Sequence, residues 1–571
     1  MTHSQRVAYV ALAGAWLGVN AYFWIWWAGT RGNAANQVLF TLVSLAWFYS
    51  VTLLPSFYLF FLGCMRVPAR VRPQDAEDTG AIGRIAVVSL TVPGSESIEI
   101  VGRQLAAMRS INYPHDSWIL VDKLHSPEIE SLARSMGVHY FCRHDTATWG
   151  AERVAVWNSP GPPFQAKTKA GNVNAWLDAY GYQRYSHFTQ LDIDHRPVPA
   201  YLDRVLGYFR DPKVAWVQAP SVYGNHEYWT ARGSSEQEVV LQGPLQMGFY
   251  GFCRTPFIIG SHCTYDMTAI RRIGGFQPTR AEDHLDTVCL AADGREGVYL
   301  PEVIAVGDGP ETFNTYLAQQ FAWAFSMIQV LFRYTPRLIR HYSARQAVQF
   351  LFAQTWYTFW SLSMMILFFA PLFALVFNAP ISHVSLAMFL LHSIPGGLTA
   401  TVVWYWSRRW HQPRRLSLSW RGIVLHVARW LVVLSAFVQV VLRVQKPYMI
   451  TVKGLNDDIR GSLRLAMLAP YIALVGVSLG SCWLYMAWYH SGAAQGYLFF
   501  AVENAALFWV VIVAVLAADA RALTRARVGL GRYLRLRIVP LITTCAVTMA
   551  IAATIDLTYG RMLQTLAESR W

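Results

Sequence analysis

Charge is what this sequence has least of. Of its 571 residues only 14% are Asp, Glu, Lys or Arg, while 54% are hydrophobic; an ordinary soluble domain carries about 25% charged residues. Depletion of that depth over so long a chain argues against a plain soluble globular protein and predicts several membrane spans. Paired cysteines are missing as well. The seven cysteines (Cys64, Cys142, Cys253, Cys263, Cys289, Cys482, Cys545) include no Cys-x-x-Cys, so neither a disulfide framework nor a zinc site is expected, and most suit a reducing compartment. No small-residue cleavage site follows the first apolar run, which is expected to stay as a span. The net charge of +14 does not make a nucleic-acid binder. Much of the excess lies beside apolar runs, at Arg408, Arg409, Arg414 and Arg415 and from Arg521 to Arg537, where cytoplasmic loops collect positive charge.

Runs long enough to cross about 30 Å of hydrocarbon occur at 7–29, 38–64, 347–377, 383–406, 465–489, 495–520 and 539–559. An eighth, 421–444, holds His426, Arg429 and Arg443 and has basic segments on both sides. If both flanks are cytoplasmic this run cannot cross, and parity makes it an interfacial amphipathic helix. The expected layout is membrane helices in 1–65, a cytosolic domain in 66–310, interfacial helices in 311–345, and a membrane region in 346–571 that includes the helix 421–444. The protein is then a multi-pass protein of the inner (plasma) membrane, in contact with lipid, with its domain in the cytosol.

From residue 84 short β-branched runs alternate with helical stretches. Candidate strands are Arg84–Thr91, Trp118–Asp122, Val138–Cys142, His187–Asp192 and Val214–Gln218, with helices near 97–110, 127–136 and 172–180. This alternation predicts a mostly parallel sheet covered on both faces, with ligands beyond the carboxyl ends of its strands. Asp122 ends one strand; Asp192 and Asp194 end another, and two carboxylates at i and i+2 can share a hard divalent cation, Mg²⁺ or Mn²⁺. Upstream, Lys169, Gly171 and Asn172 open a helix and form a candidate anion site. Downstream, Glu282 and Asp283 form a second acidic cluster able to serve a general base. Gln319, Gln320 and Trp323 share one helix, with Gln319 and Trp323 on one face.

In this order the residues resemble the processive family 2 glycosyltransferases, the group of cellulose, chitin and hyaluronan synthases. That family's early Asp, Asp-x-Asp, Thr-Glu-Asp and Gln-x-x-Arg-Trp read here as Asp122, Asp192/Asp194, Ala281-Glu282-Asp283 and Gln319-Gln320-Phe321-Ala322-Trp323. Lys169-Ala-Gly171-Asn172 resembles a cellulose-synthase segment at the nucleotide diphosphate, and Tyr448-Met-Ile450-Thr451-Val452-Lys453-Gly454 resembles that enzyme's gating loop, placed here at 446–458. The resemblance implies an α/β GT-A-type domain, a Rossmann-like mixed sheet, inserted in a bundle of about seven transmembrane helices. It implies that Asp122 meets the uracil-ribose end of a UDP-sugar, that Asp192 and Asp194 hold the metal by the diphosphate, and that Asp283, beside Glu282, deprotonates the acceptor. Gln319, Gln320 and Trp323 would line the acceptor end, and Thr451 and Lys453 would close over the nucleotide.

The expected activity is inverting, processive transfer from a UDP-hexose, UDP-glucose into a β-glucan being the leading reading, with secretion through the protein's own channel. The growing polysaccharide is the acceptor, and an accessory periplasmic or membrane subunit is a further expected partner; nucleic acid is not. A synthase using UDP-N-acetylglucosamine and a non-processive lipid-carrier transferase are the alternatives. Departures from the family pattern are Lys123 after the first Asp, Ala281 for Thr, and Ala322 for the Arg before Trp323. Lys123 or Arg280 is the expected source of the charge missing at Ala322.

Overall fold

The computed structural model describes residues 1–122, 124–145, 168–277, 282–416, 420–444, 463, 465–489, 493–525 and 527–567. Among the described residues ten strands follow one another between the second and third long apolar helices: β1 Ile85–Thr91, β2 Asp116–Val121, β3 His139–Cys142, β4 His187–Asp192, β5 Arg196–Pro197, β6 Val214–Gln218, β7 Val222–Tyr223, β8 His262–Asp266, β9 Glu296–Tyr299 and β10 Ala305–Gly307. Seven form one sheet in the order β3-β2-β1-β4-β8-β6-β9. All its pairings are parallel except those of β8, which runs antiparallel to both β4 and β6. The strands are apolar along their length because both faces are covered. Along β1, Ile85 and Val87 enter one core with Ile119, Leu191 and Val217, while Ala86 and Val88 enter the other with Trp118, Phe188 and Trp176. A small second sheet, β5-β10-β7, starts directly after the Asp192–His195 turn and ends at Gly307.

Each of the seven expected apolar runs is helical: His3–Gly29, a run from Gln37 to Cys64 with a π-helical stretch at Phe48–Leu53, Ala344–Val376, Leu386–Ser407, Leu465–Trp488, Tyr497–Arg525 and Leu530–Ala567. The run that parity places in the interface adds an eighth. Trp420–Val441 is 22 residues long and, by length and composition alone, apolar enough to cross a membrane. The count of such helices among the described residues is therefore eight rather than seven. This stretch divides at Arg429 into Trp420–Ala428 and Trp430–Val441, which pack on the domain helix Trp229–Glu238 and on the helix Phe313–Arg333 respectively.

The α/β domain meets the membrane helices through backbone as well as side chains. The helix Gln246–Cys253 crosses the end of the helix Leu54–Cys64, and Arg66 N donates to Met247 O at 3.2 Å. Glycines make the crossing: a Cβ on Gly248 would stand 2.5 Å from Phe61 O, and one on Gly251 only 1.9 Å from Cys64 O. Phe249 and Phe257 pack beside the crossing, Phe249 edge-on to Phe61 at 4.8 Å. Gly251→Ala must push the two helices apart and is expected to destabilise the protein by about 2 kcal/mol, read as a lower thermal unfolding midpoint in detergent. An unchanged midpoint contradicts so close an approach.

Candidate active site

Strand β4 delivers Asp192 to the carboxyl edge of the sheet, and the turn that follows, closed by His195 N donating to Asp192 O at 2.9 Å, folds Asp194 and His195 back beside it. Ligand atoms of Asp192, Asp194 and His195 lie within 4.8 Å of one another. Asp194, 1% exposed, has Oδ1 3.4 Å from His195 Nδ1, and its Oδ2 accepts from Asp308 N at 3.3 Å. The small sheet fixes this geometry, because β5 and β10 pair Arg196 with Val306 and so bring Asp308 under Asp194. Gly307 is required there, since a Cβ would lie 2.1 Å from His195 Cε1. The other ring nitrogen of His195 is 3.1 Å from Ser221 Oγ. Two carboxylates and an imidazole form a donor set that fits a divalent cation, and its oxygen majority favours a hard one.

The helix Lys169–Trp176 is capped by Thr168, whose hydroxyl accepts from Gly171 N at 3.1 Å. Its first residue reaches across the edge: Lys169 Nζ donates to Asp192 Oδ1 at 2.9 Å and Gly260 O at 2.9 Å, and lies 3.0 Å from Glu282 Oε1. One ammonium thus links the Asp-x-Asp turn to the helix Glu282–Ala292. Gly171 and Asn172 are buried in the first turn, and Asn172 Oδ1 has no partner among the described residues. Asn174, one turn on, holds the Gly274–Phe276 loop by bonds to Phe276 N and O at 2.9 and 3.0 Å.

Next to the buried Glu282, Asp283 is the half-buried acid of the site. His284 N donates to its Oδ1 at 2.9 Å, and Gly260, at φ +77°, lies so close that a Cβ would stand 3.0 Å from its Oδ2. Burial, followed by the charge of Glu282, lifts the Asp283 carboxyl to about 7. Burial and Glu282 also push Asp286 well above the carboxylate range, although its Oδ1 accepts from Gln277 N at 2.8 Å. A carboxyl titrating near neutrality can take up a proton at physiological pH.

Residues 187–520, more than half of the chain, match the family described as Glycosyl transferase family group 2. The chain belongs to that family. Among curated proteins it resembles the cellulose synthase catalytic subunit [UDP-forming] of Pseudomonas fluorescens (strain SBW25), with 25% identity over 401 residues, covering 67% of this chain and 49% of that one. A protein of the same description from Komagataeibacter sucrofermentans is 27% identical over 333 residues, covering 55% and 40%. The probable glucomannan 4-beta-mannosyltransferase 7 of Oryza sativa subsp. japonica is 23% identical over 263 residues, covering 44% and 42%. The chain thus spans about half the length, or less, of the curated relatives it matches. Among solved structures it resembles the mannosyltransferase PcManGT from Pyrobaculum calidifontis in complex with GDP-Man and Mn²⁺, at 15% identity, TM-score 0.43, 72% of this chain and 99% of that one, a likeness too slight to carry an inference.

The glycosyltransferase gathers Lys169, Asp192, Asp194, Glu282 and Asp283 at one edge. Asp122 directly follows β2 on the same edge but is paired with a residue the sequence did not single out: Arg143, itself buried, donates from Nη2 to both Asp122 oxygens at 3.0 and 3.2 Å. Lys169, read as a diphosphate ligand, is engaged by carboxylates. Gln320 is buried on the helix Phe313–Arg333, while Gln319 and Trp323 are half-buried. Gln320 Oε1 accepts from Arg429 Nη1 at 2.6 Å. Lys123, Arg280, Ala281, Thr451, Lys453 and the rest of 446–458 lie outside the described residues. His195 and Arg429 were missed, although the first adjoins the Asp-x-Asp and the second is a charge inside an apolar run. With Asp283 as proton acceptor, the transfer rate at saturating donor should fall roughly tenfold per pH unit below about 7 and level off above it, because protonation fills the base. A rate that is flat from about pH 5.5 to about pH 8.5 contradicts this.

Proposed function

We propose that this protein is a processive inverting glycosyltransferase that polymerises UDP-glucose into a β-glucan and passes the product through its own membrane helices. The observation that carries the reading is the Lys169 bridge, which sets a carboxyl raised to about 7, Asp283, beside the Asp192–Asp194 turn. Inverting transfer needs both at once. The acceptor hydroxyl oxygen bonds to the anomeric carbon, its proton goes to the Asp283 carboxylate, and the carbon–oxygen bond to UDP breaks with the electron pair leaving on the diphosphate. Asp192 and Asp194, with His195, would hold Mg²⁺ or Mn²⁺, which when bound supplies charge neutralisation to the leaving diphosphate. Lys169, already between Asp192 and Glu282, offsets their negative charge beside the departing diphosphate. Glu282 acts on Asp283 by repulsion, which helps keep it basic.

On the acceptor side, Gln319 and Trp323 lie on a helix packed against the apolar stretch 420–441, so a chain stacked on Trp323 stands at the mouth of the membrane helices. Asp122, with Arg143, would face the uracil-ribose end, Asn172 and Gly171 the diphosphate, and Thr451 and Lys453 the bound nucleotide. The proposed setting is the inner membrane with the domain in the cytosol, 421–444 in the interface, and an accessory subunit receiving the polymer. Cellulose-synthase relatives favour glucose among the hexoses. The test is turnover of the full chain in detergent with radiolabelled UDP-sugars and Mg²⁺ or Mn²⁺. UDP-glucose should yield high-molecular-weight product that β-glucanase digests and that chelation of the metal prevents. A single-sugar lipid product, or polymer from UDP-N-acetylglucosamine alone, overturns the proposal.

A further inference from the structure

An arginine that is 7% exposed inside an otherwise apolar stretch requires a reason, because removing its charge from water is costly unless every donor is used. Arg429 meets partners on four separate elements. Nη1 donates to Gln320 Oε1 at 2.6 Å on the helix Phe313–Arg333, and Nη2 lies 3.0 Å from His426 Nδ1 on its own stretch. The guanidinium carbon sits 4.9 and 5.4 Å from the ring centroids of Trp356 and Trp360. Those rings stack at 5.4 Å and 7° on the membrane helix Ala344–Val376. The fourth element is the domain helix Trp229–Glu238. The Gln237 amide oxygen, turned toward the guanidinium, lies over its flat face at 2.7, 2.8 and 3.0 Å from Nη1, Nε and Nη2, while its nitrogen donates to the Tyr316 hydroxyl at 2.8 Å. Glu238 follows, half-buried, and desolvation lifts it to about 7 against the pull of Arg429. Only a planar, multi-donor cation with two aromatic-compatible faces satisfies such a set at once.

The helix Phe313–Arg333 bears Gln319 and Trp323, and Ala322 stands where the family pattern has arginine. Two residues on from Gln320 is about 200° around a helix, so Arg429 does not fill the place of a side chain at 322; it grips the opposite face. We propose that Arg429 is a positioning residue for the acceptor, fixing the helix of Gln319, Gln320 and Trp323 against the catalytic domain and the membrane helix at once. This rests on the function proposed above. Arg429 touches neither the Lys169 bridge nor the Asp192–Asp194 turn, so donor binding should be indifferent to it.

The test compares full-length Arg429→Met and Arg429→Lys with wild type in detergent, measuring kcat, donor KM, UDP affinity and product length. Arg429→Met should lose about 100-fold in kcat through misplacement of the acceptor, with donor KM and UDP affinity within about twofold and products shortened. Arg429→Lys should recover part of kcat, since it keeps the charge but not the fork. Should Arg429→Met fail to fold, Gln237→Met, which leaves the arginine and removes the amide that lies against it, should show the same split at about tenfold. Wild-type kcat and product length in Arg429→Met, or in Gln237→Met where that variant stands in, overturn the inference. So does a loss of kcat accompanied by an equal loss of UDP affinity. A wild-type enzyme that extends no glycan defeats the proposed function itself; an active wild type with unaltered variants defeats only the role of Arg429.

Discussion

The Lys169 ammonium is the constraint on which the site depends. Asp192, Asp194, Glu282, Asp283 and Asp286 converge on one sheet edge from two distant stretches of chain, and most of them are buried. Carboxylates so placed repel one another and resist ionisation. Lys169, reaching from the capped start of its helix, contacts Asp192 and Glu282 together and so joins the turn after β4 to the helix Glu282–Ala292. The first turn of that helix adds the positive end of its dipole to Glu282 and Asp283. Even so, burial and Glu282 prevail at Asp283 and leave it near neutrality. One acid is left near neutrality while Lys169 offsets its neighbours, which is the division of labour that the proposed group transfer calls for.

The same economy of buried charge recurs where the domain meets the membrane helices. Arg429 gathers four elements, and Arg537 pairs with Asp519 at 2.8 Å between the last two long helices, both largely buried. Breaking such a pair leaves an uncompensated charge in an apolar setting, so these contacts fix which helix neighbours which. Glycine does the equivalent for backbone: at Gly251 the absence of a side chain lets the domain rest on Cys64 of the second long helix. Domain and helices are therefore joined at several points and not merely threaded on one chain.

Burial periodicity made much of this legible in the sequence. β4 and β6 begin and end where their apolar runs do, at His187–Asp192 and Val214–Gln218, and seven apolar runs became seven helices. The acidic residues at strand ends were legible for the same reason, since the carboxyl edge follows from strand direction. Pairings across the fold were not. Nothing local to Arg143 shows that β3 will lay it beside Asp122, nor does anything in the helix Phe313–Arg333 show that its charge partner stands 109 positions later. His195 was hidden by its ordinary neighbourhood; only the pairing of β5 with β10 turns it toward Asp194. The stretch 421–444 divided two criteria, because charge parity and apolar length answer different questions. The structure adds that it divides at the buried arginine.

The central claim is that the Asp283 carboxylate accepts the acceptor proton, and replacing it with an amide of the same shape tests that most directly. Asp283→Asn, assayed for sugar transfer and for UDP binding side by side, should lose at least about a thousandfold in transfer while binding UDP nearly as wild type does, because the proposed donor contacts lie with Asp192, Asp194 and the helix of Lys169. A variant that still transfers sugar at a rate within about tenfold of wild type would contradict the account.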